Sequence, residues 1–496
     1  MHKSFLKIFF LCLLINPLIG FSQFEIIQAH SKVDSSYGYV EAIGYGSSQE
    51  KLPFWIQSNQ FGVIPKTAPS GTARIGLQKF WDLSETTEKG AAWKFGAAIE
   101  AVGNTGNPSK VLIPQIHATL KYKNWELFVG RKKQWIGLAD STLGSGSYAW
   151  SGNAMPIPKI QIGTTKFVNV PLTKGWVAFH GFYSDGLFEK NRPVTSDMKF
   201  HHKSLYIRLG KETSRLKLFG GINHQVQWGG KSPYLTAESN DLPNGFKNYL
   251  NMVRGAIGGE GESITHFDST SRIGNHLGSI DLAVEIETYA SSWFFYRQFI
   301  YEDGSLFYLQ ALKDGLNGIR VRRKNSYGAG FEITEGVIEF LYTKDQGGNE
   351  FVIGDGKRRG IDNYFNNQQV RDGWSYLRRT IGTPFIPPTS DTQWKYPAYA
   401  DNNTSNNRVL VLHLGLKGTI AQKIQWYTKL SYSNNSGAYL APIYPAAKQF
   451  SGLIALQSHL NILGGSTIKG SVAADMGDLY PKTYGFSLGL RKDFSF

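Results

Sequence analysis

Along this chain of 496 residues, short turns and long irregular segments separate stretches of strict apolar and polar alternation, and few folds accommodate that sorting. Trp93, Phe95, Ala97, Ile99 and Ala101 alternate with Lys94, Gly96, Ala98 and Glu100. Ile116, Ala118, Leu120 and Tyr122 follow, and a turn at Lys123-Asn124 leads into Trp125, Leu127 and Val129. Side chains on a strand point alternately to opposite faces, so each stretch has one apolar and one polar face. The hairpin recurs. Leu205 to Leu209 turns at Lys211 to Ser214 into Leu216 and Leu218; Phe331 and Ile333 turn at Glu335-Gly336 into Ile338, Phe340 and Tyr342. Leu410 to Leu416 turns near Gly418 to Gln422 into Ile424 to Tyr432, and Ile454 to Leu463 turns at Gly464-Gly465 into Ser466 to Ala474.

Between the hairpins lie long segments rich in Gly, Asn, Asp, Ser and Pro: Lys132 to Pro158, Gln225 to Asn275, Asp345 to Asn407 and Ser433 to Gln449. Soluble sandwiches and propellers have no reason to sort their connections so unequally. Outer-membrane barrels do, with short periplasmic turns and long extracellular loops. The expected fold is all-β, a transmembrane antiparallel β-barrel in which about 16 to 18 strands fit. The early region reads as short strands at Tyr37 to Tyr39 and Leu52 to Ile56.

The last strand fits the same wall. Tyr484, Phe486, Leu488 and Leu490 oppose Gly485, Ser487, Gly489 and Arg491, and the chain closes on Phe496. Such an ending resembles the signal by which the barrel assembly machinery takes up outer-membrane proteins. Lys492 is the misfit, a cation on the lipid face. Four residues from the end, it is expected to snorkel to periplasmic headgroups.

Met1 to Ser22 has the form of a secretory signal: Lys3 and Lys7, an apolar run from Ile8 to Leu18, then Gly20-Phe21-Ser22 as the cleavage site. Residues 23–496 are then the barrel, with long loops partly filling or covering its mouth. The single cysteine, Cys12, falls inside the signal, so thiol catalysis and zinc–cysteine sites are not expected. The formal charge is +15, which favours anionic partners. An exported chain with scattered cations fits lipopolysaccharide or an acidic polysaccharide better than nucleic acid. Many of these cations will also pair with Asp and Glu around a wet lumen.

No HExxH, Walker loop or EF-hand loop occurs, and Gly485-Phe486-Ser487-Leu488-Gly489, which has the GxSxG spacing, lies within the alternating last strand without a strand-to-helix turn. A triad assembled across strands would leave no sequence signature. Gly255 to Gly261 is glycine-rich without a strand-to-helix context, so a mobile loop is expected and not a phosphate cradle. His201-His202 and His224 lack partners at ligand spacing, so no metal and no cofactor is expected.

Three stretches are denser: Ser147 to Pro158, containing Trp150 and Asn153; Ile222 to Gly230, containing Trp228; and Asp362 to Pro384, containing Trp374, Tyr376, Arg378 and Arg379. Read as loops, they mix flat aromatic faces with amide and guanidinium donors. Trp and Tyr stack on the C–H faces of sugars, Asn pairs with vicinal hydroxyls, and Arg grips a carboxylate with two parallel hydrogen bonds. These residues, with Arg358 and Arg359 as a second basic pair, are the candidates for polysaccharide binding. The same aromatics also serve as barrel girdles, and each has a packing role as its alternative.

In this order and context the three stretches resemble the Wzi family of capsule-assembly outer-membrane proteins, in the form seen in the Bacteroidetes. The resemblance runs over nearly the whole mature chain and is strongest at Trp150 to Pro158 and Asp362 to Pro384. It implies an 18-stranded outer-membrane barrel that anchors capsular or exopolysaccharide at the cell surface in a lectin-like manner, without enzymatic activity. The chain departs from the enterobacterial pattern at Gln23 to Phe80, which shows no sustained helical period for a periplasmic plug. A porin or nutrient channel is the alternative that the same strand pattern permits.

Overall fold

Burial is inverted along the strands of the computed structural model: apolar side chains are exposed and polar ones are enclosed. On the strand Lys199–Leu209, Leu205, Ile207 and Leu209 are 42–48 % exposed while Ser204, Tyr206 and Arg208 are buried. That is the arrangement of a wall with lipid outside and a polar interior. The structure describes residues 36–83, 93–106, 108–234, 240–256, 272–302, 311–325, 328, 330–350, 360–393 and 402–496. The expected signal at 1–22, Arg358 and Arg359 lie outside the described residues, as does Gly255 to Gly261 from residue 257 onward.

The wall strands are β1 (Tyr37–Ser47), β2 (Ser70–Asp82), β3 (Trp93–Thr105), β4 (Lys110–Tyr122), β5 (Trp125–Arg131), β6 (Lys159–Thr164), β7 (Val177–Leu187), β8 (Lys199–Leu209) and β9 (Leu216–Trp228). They continue with β10 (Asn275–Glu287), β11 (Ser291–Glu302), β12 (Gly315–Arg323), β13 (Phe331–Tyr342), β14 (Val409–Ile420), β15 (Ile424–Gly437), β16 (Pro442–Leu460), β17 (Ser466–Gly477) and β18 (Thr483–Ser495). A short piece, Val168–Asn169, continues β6 against the same neighbour, β7. Each strand pairs antiparallel with the next, and β18 returns to β1 from Tyr37↔Ser495 to Ser47↔Gly485. The described residues thus form a closed barrel of eighteen strands. Among the described residues no helix is long and apolar enough to cross a membrane.

Connections 123–124, 210–215, 288–290, 421–423 and 461–465 lie at the end where β18 finishes. The long connections 48–69, 132–158, 229–274 and 343–408 lie at the other, with the short ones 106–109, 438–441 and 478–482 beside them. In the described part of 23–80 there are strands and one helical turn, α1 (Phe54–Gln57).

Four expectations are corrected. Leu52 to Ile56 is not a strand: the chain leaves the wall at Pro53, and Phe54, Trp55 and Ile56 are all buried, which a helical turn achieves and a two-faced strand does not. Glu335-Gly336 is not a turn but the middle of β13, beside a register shift between Ile333 and Glu335. The buried Glu335 carboxylate is held by Arg322 at 3.0 Å and Lys417 at 2.7 Å from the strands on either side, so a charge that suggested a turn is satisfied within the wall. Ser433 to Gln449 is a strand hairpin, in which Asn435 faces the lumen and bonds Ser433 Oγ at 2.9 Å and Ala447 O at 3.0 Å. Ile222 to Trp228 likewise belongs to a strand, its inward Asn223, Gln225 and Gln227 buried. In the last three, the polar lumen face disguised a strand as a turn or loop.

Lys492 finds partners closer than lipid headgroups: its ammonium donates to the carbonyls of Gly464 and Gly465 in the 461–465 turn. Beside the shifted register of β13, a Cβ at Gly418 would come 1.8 Å from Glu332 O. Gly418→Ala is therefore expected to destabilise the barrel by about 2–3 kcal/mol. Urea titration of tryptophan fluorescence in detergent measures it; Gly103→Ala, whose Cβ meets nothing within 4 Å, serves as the control.

Candidate functional site: the loop cap and its cleft

Three long connections turn inward, and the wall supplies acceptors for their backbone donors. In 132–158, Leu138 N donates to Asp281 Oδ2 at 2.9 Å, Tyr148 N to Gln298 Oε1 at 3.0 Å, and Ser145 N to Glu339. His413 of β14 bonds Leu143 O at 2.6 Å. In 48–69, Phe54 N donates to Asp475 Oδ2 at 2.8 Å and the Trp55 indole to Ser431 Oγ at 3.1 Å. In 343–408, Phe365 N donates to Glu302 Oε1 at 2.6 Å, while Gln346 N and Tyr364 Oη reach Asp314 Oδ2 at 2.7 and 2.9 Å. A buried backbone donor without a partner is costly, so these wall groups decide where the loops run.

With their amides satisfied, the loops pack apolar side chains on one another. Tyr148 meets Phe365 with ring centroids 5.1 Å apart, Phe54 meets Phe385 at 5.0 Å, and both pairs belong to one buried cluster. Polar bonds lock the loops together. Asn153 Oδ1 accepts from Asn59 N at 3.1 Å and its Nδ2 donates to Thr380 O at 3.0 Å, so one side chain ties all three loops.

Trp150, Asn153, Trp374 and Tyr376 thus lie inside the cap. Trp150 stacks on Phe200 at 5.8 Å and donates to Gln134 O at 2.9 Å. Trp374 and Tyr376 are at most 1 % exposed, and the Tyr376 hydroxyl accepts from Arg131 at 3.0 Å. Trp228 is elsewhere, on the outer wall, where Lys199 Nζ sits 4.7 Å from its ring centre.

The adjacent arginines part company at a two-residue hairpin turn between Ser375–Tyr376 and Arg379–Thr380. Leu377 and Arg378 hold positive φ of 49° and 61°, as a turn matched to strand twist requires. Arg378 is exposed at the tip, whereas Arg379 reaches back to Ile64 O at 2.6 Å and Gln57 Oε1 at 3.3 Å.

Arg379 borders a small cleft of about 50 Å³ in the cap, lined also by Lys51, Gln57, Lys66, Asp391 and Tyr480. Lys66 Nζ pairs with Asp391 at 2.6 Å, and Lys51 Nζ donates to Ser390 O at 2.7 Å. Burial pulls the Lys66 ammonium down to about 8 against the pull of Asp391, and burial lowers Arg379 too. Sequence reading missed Lys51 and Lys66. The available signal was their position on either side of the apolar Leu52 to Ile64 segment that fills the mouth.

The family model for capsule assembly protein Wzi matches residues 88–403. The chain belongs to that family. Among solved structures, Escherichia coli Wzi, described as an outer-membrane, carbohydrate-binding β-barrel involved in group 1 capsule assembly, superposes with a TM-score of 0.56 at 16 % identity, covering 92 % of this chain and 85 % of its own. Pseudomonas aeruginosa OccK5 (OpdH) gives 0.48 at 9 % identity, with 94 % and 99 % covered; OpdL of the same organism gives 0.46 at 10 %, with 93 % and 99 %. No curated protein matches. As a closed outer-membrane barrel of the Wzi family, this chain places its loop cap at the mouth of the wall.

Asn153→Ala cuts the bonds to Asn59 and Thr380 at once. It is expected to cost about 1–3 kcal/mol of loop order and to expose the 48–69 and 343–408 loops to protease several times faster, with the barrel intact. Mass spectrometry of timed digests reads this out.

Proposed function

We propose that this protein holds an acidic capsular or exopolysaccharide at the cell surface, as a binding and anchoring barrel and not as an enzyme. The observation that carries the reading is the cleft of Lys51, Lys66, Arg379, Gln57 and Tyr480 in the loop cap, where Asp391 holds Lys66. Two ammonium groups and a guanidinium suit uronate or other anionic sugars, Gln57 can pair with hydroxyls, and Tyr480 offers a face to C–H surfaces. Arg378 adds an exposed cation at the hairpin tip, with Arg358 and Arg359 as a further basic pair. Trp150, Asn153, Trp374 and Tyr376 serve as positioning residues that keep the cap rigid. Carbohydrate binding by the Escherichia coli protein supports the substrate class. Residues 1–22 act as the export signal, and the terminal strand as the handle for the assembly machinery.

The loops packed into the mouth speak against the diffusion channel. Planar-bilayer conductance of the wild type is expected to stay well below that of a variant lacking 136–157; equal conductance would favour the channel. Loss of the gene should release surface polysaccharide into the medium, and unchanged retention would overturn the anchoring role.

The cleft also carries a pH signature. Lys66 is charged below about 8 and loses its proton as pH rises through that value. Affinity for an acidic oligosaccharide is therefore expected to fall between about pH 7 and pH 9, and Lys66→Gln to weaken it roughly tenfold at neutral pH. Titration calorimetry across pH, with Lys66→Arg holding its affinity, is the check.

A further inference from the structure

On the lipid side of the wall, one loop folds outward instead of inward. Within 229–274 lies α2 (Gly245–Arg254), capped by Asn244 and ended by Gly255 at φ 66°. It covers the outer face of β7 to β9. Met252 is buried against Val226 and Trp228, and Tyr249 Oη donates to Asp185 Oδ2 at 2.9 Å. Lys203 Nζ donates to Val253 O, and Lys199 Nζ reaches Asn244 Oδ1 at 2.6 Å.

Strand register fixes the height of this helix. The exposed apolar belt reaches Leu205 on β8, Ile222 on β9 and Ile280 on β10. The next outward residues on β8 are Lys203, His201 and Lys199, opposite His224, Val226 and Trp228 on β9. His276 on β10 bonds His224 across the strands at 2.9 Å, and His201 bonds Asp185 at 3.0 Å. The wall therefore changes from apolar to polar and cationic within one turn of chain, and α2 lies over that border. Its own outer face repeats the change: Phe246 is 75 % exposed and Leu250 36 % exposed, one helical turn apart, with Lys247 and Arg254 exposed beside them.

We infer that α2 is an interfacial helix that seats phosphorylated lipid of the outer leaflet, lipopolysaccharide, against this side of the barrel. Phe246 and Leu250 are the exposed apolar residues that the helix offers to acyl chains, and Lys247 and Arg254, exposed beside them, complement the charge of the phosphates. Met252 and Tyr249 hold the helix to the wall, and its cover keeps the His201, His224 and His276 row out of hydrocarbon, where bare polar groups would be costly. The inference rests on the outer-membrane location and is independent of glycan binding.

The test uses the full chain with Cys12→Ser in phosphatidylcholine nanodiscs, with and without lipopolysaccharide. An environment-sensitive fluorophore is placed at Phe246→Cys, or at Leu440→Cys in the 438–441 connection, 71 % exposed, as the aqueous control. The probe at 246 is expected to be quenched by spin-labelled lipid and spared by an aqueous nickel complex, with the reverse at 440. Lys247→Gln and Arg254→Gln, on the otherwise native chain, are each expected to weaken lipopolysaccharide retention about fivefold, read by native mass spectrometry, while polysaccharide anchoring is kept. Aqueous quenching at 246 equal to that at 440 overturns the inference, as does unchanged lipopolysaccharide retention in both charge variants, or quenching at 246 that depends on a second copy of the chain.

Discussion

Lumen-facing acceptors on the wall decide what kind of barrel this is. A ring of eighteen strands is wide enough to leave an aqueous channel unless something fills it. Here Asp281, Gln298, Glu302, Glu339 and Asp475 take backbone donors from Leu138, Tyr148, Phe365, Ser145 and Phe54. These bonds sit where a loop amide would otherwise lose water without compensation. The loops can therefore enter the lumen and remain there.

Once inside, their apolar side chains have only one another to meet. Tyr148, Trp150, Phe365, Trp374 and Phe385 form a core around the axis, separated from the lipid-facing Leu and Ile by a polar layer of wall residues. The molecule thus has two apolar zones, one facing the membrane and one sealed in the cap. While Lys159 and Lys429 are buried against Trp150 and Trp55, Lys51, Lys66 and Arg379 border the cleft and Arg378 is exposed at the hairpin tip. That is where an anionic polymer can be met without crossing the barrel.

The outward loop follows the opposite logic for the same reason. On β7 to β10 the outer wall carries Asp185, His201, Lys203 and His276 just above the apolar belt, and α2 supplies the cover those groups need. Inward or outward, each long connection goes where the wall offers polar groups to satisfy.

Period-two alternation and the sorting of connections determined the barrel, its closing strand and the end that bears the long loops, because side-chain direction on a strand is set by local geometry. Sequence also singled out Trp150, Asn153, Trp228, Arg358, Arg359, Trp374, Tyr376, Arg378 and Arg379 as candidates, of which Trp150, Asn153, Trp374, Tyr376 and Arg379 lie together in the cap. It did not reveal that burial turns four of them into a scaffold. Nor did it show that Arg378 and Arg379 point to opposite sides of a turn, or that Trp228 lies on the outer wall under a helix. Polar strands such as Ile222 to Trp228 and Ser433 to Gly437 passed for loops, since a lumen face and a solvated loop have the same composition. Only the tertiary structure decided where the loops go and hence where the cleft forms. Those outcomes depend on hydrogen bonds between residues hundreds of positions apart, such as Phe54 with Asp475, which no local pattern encodes.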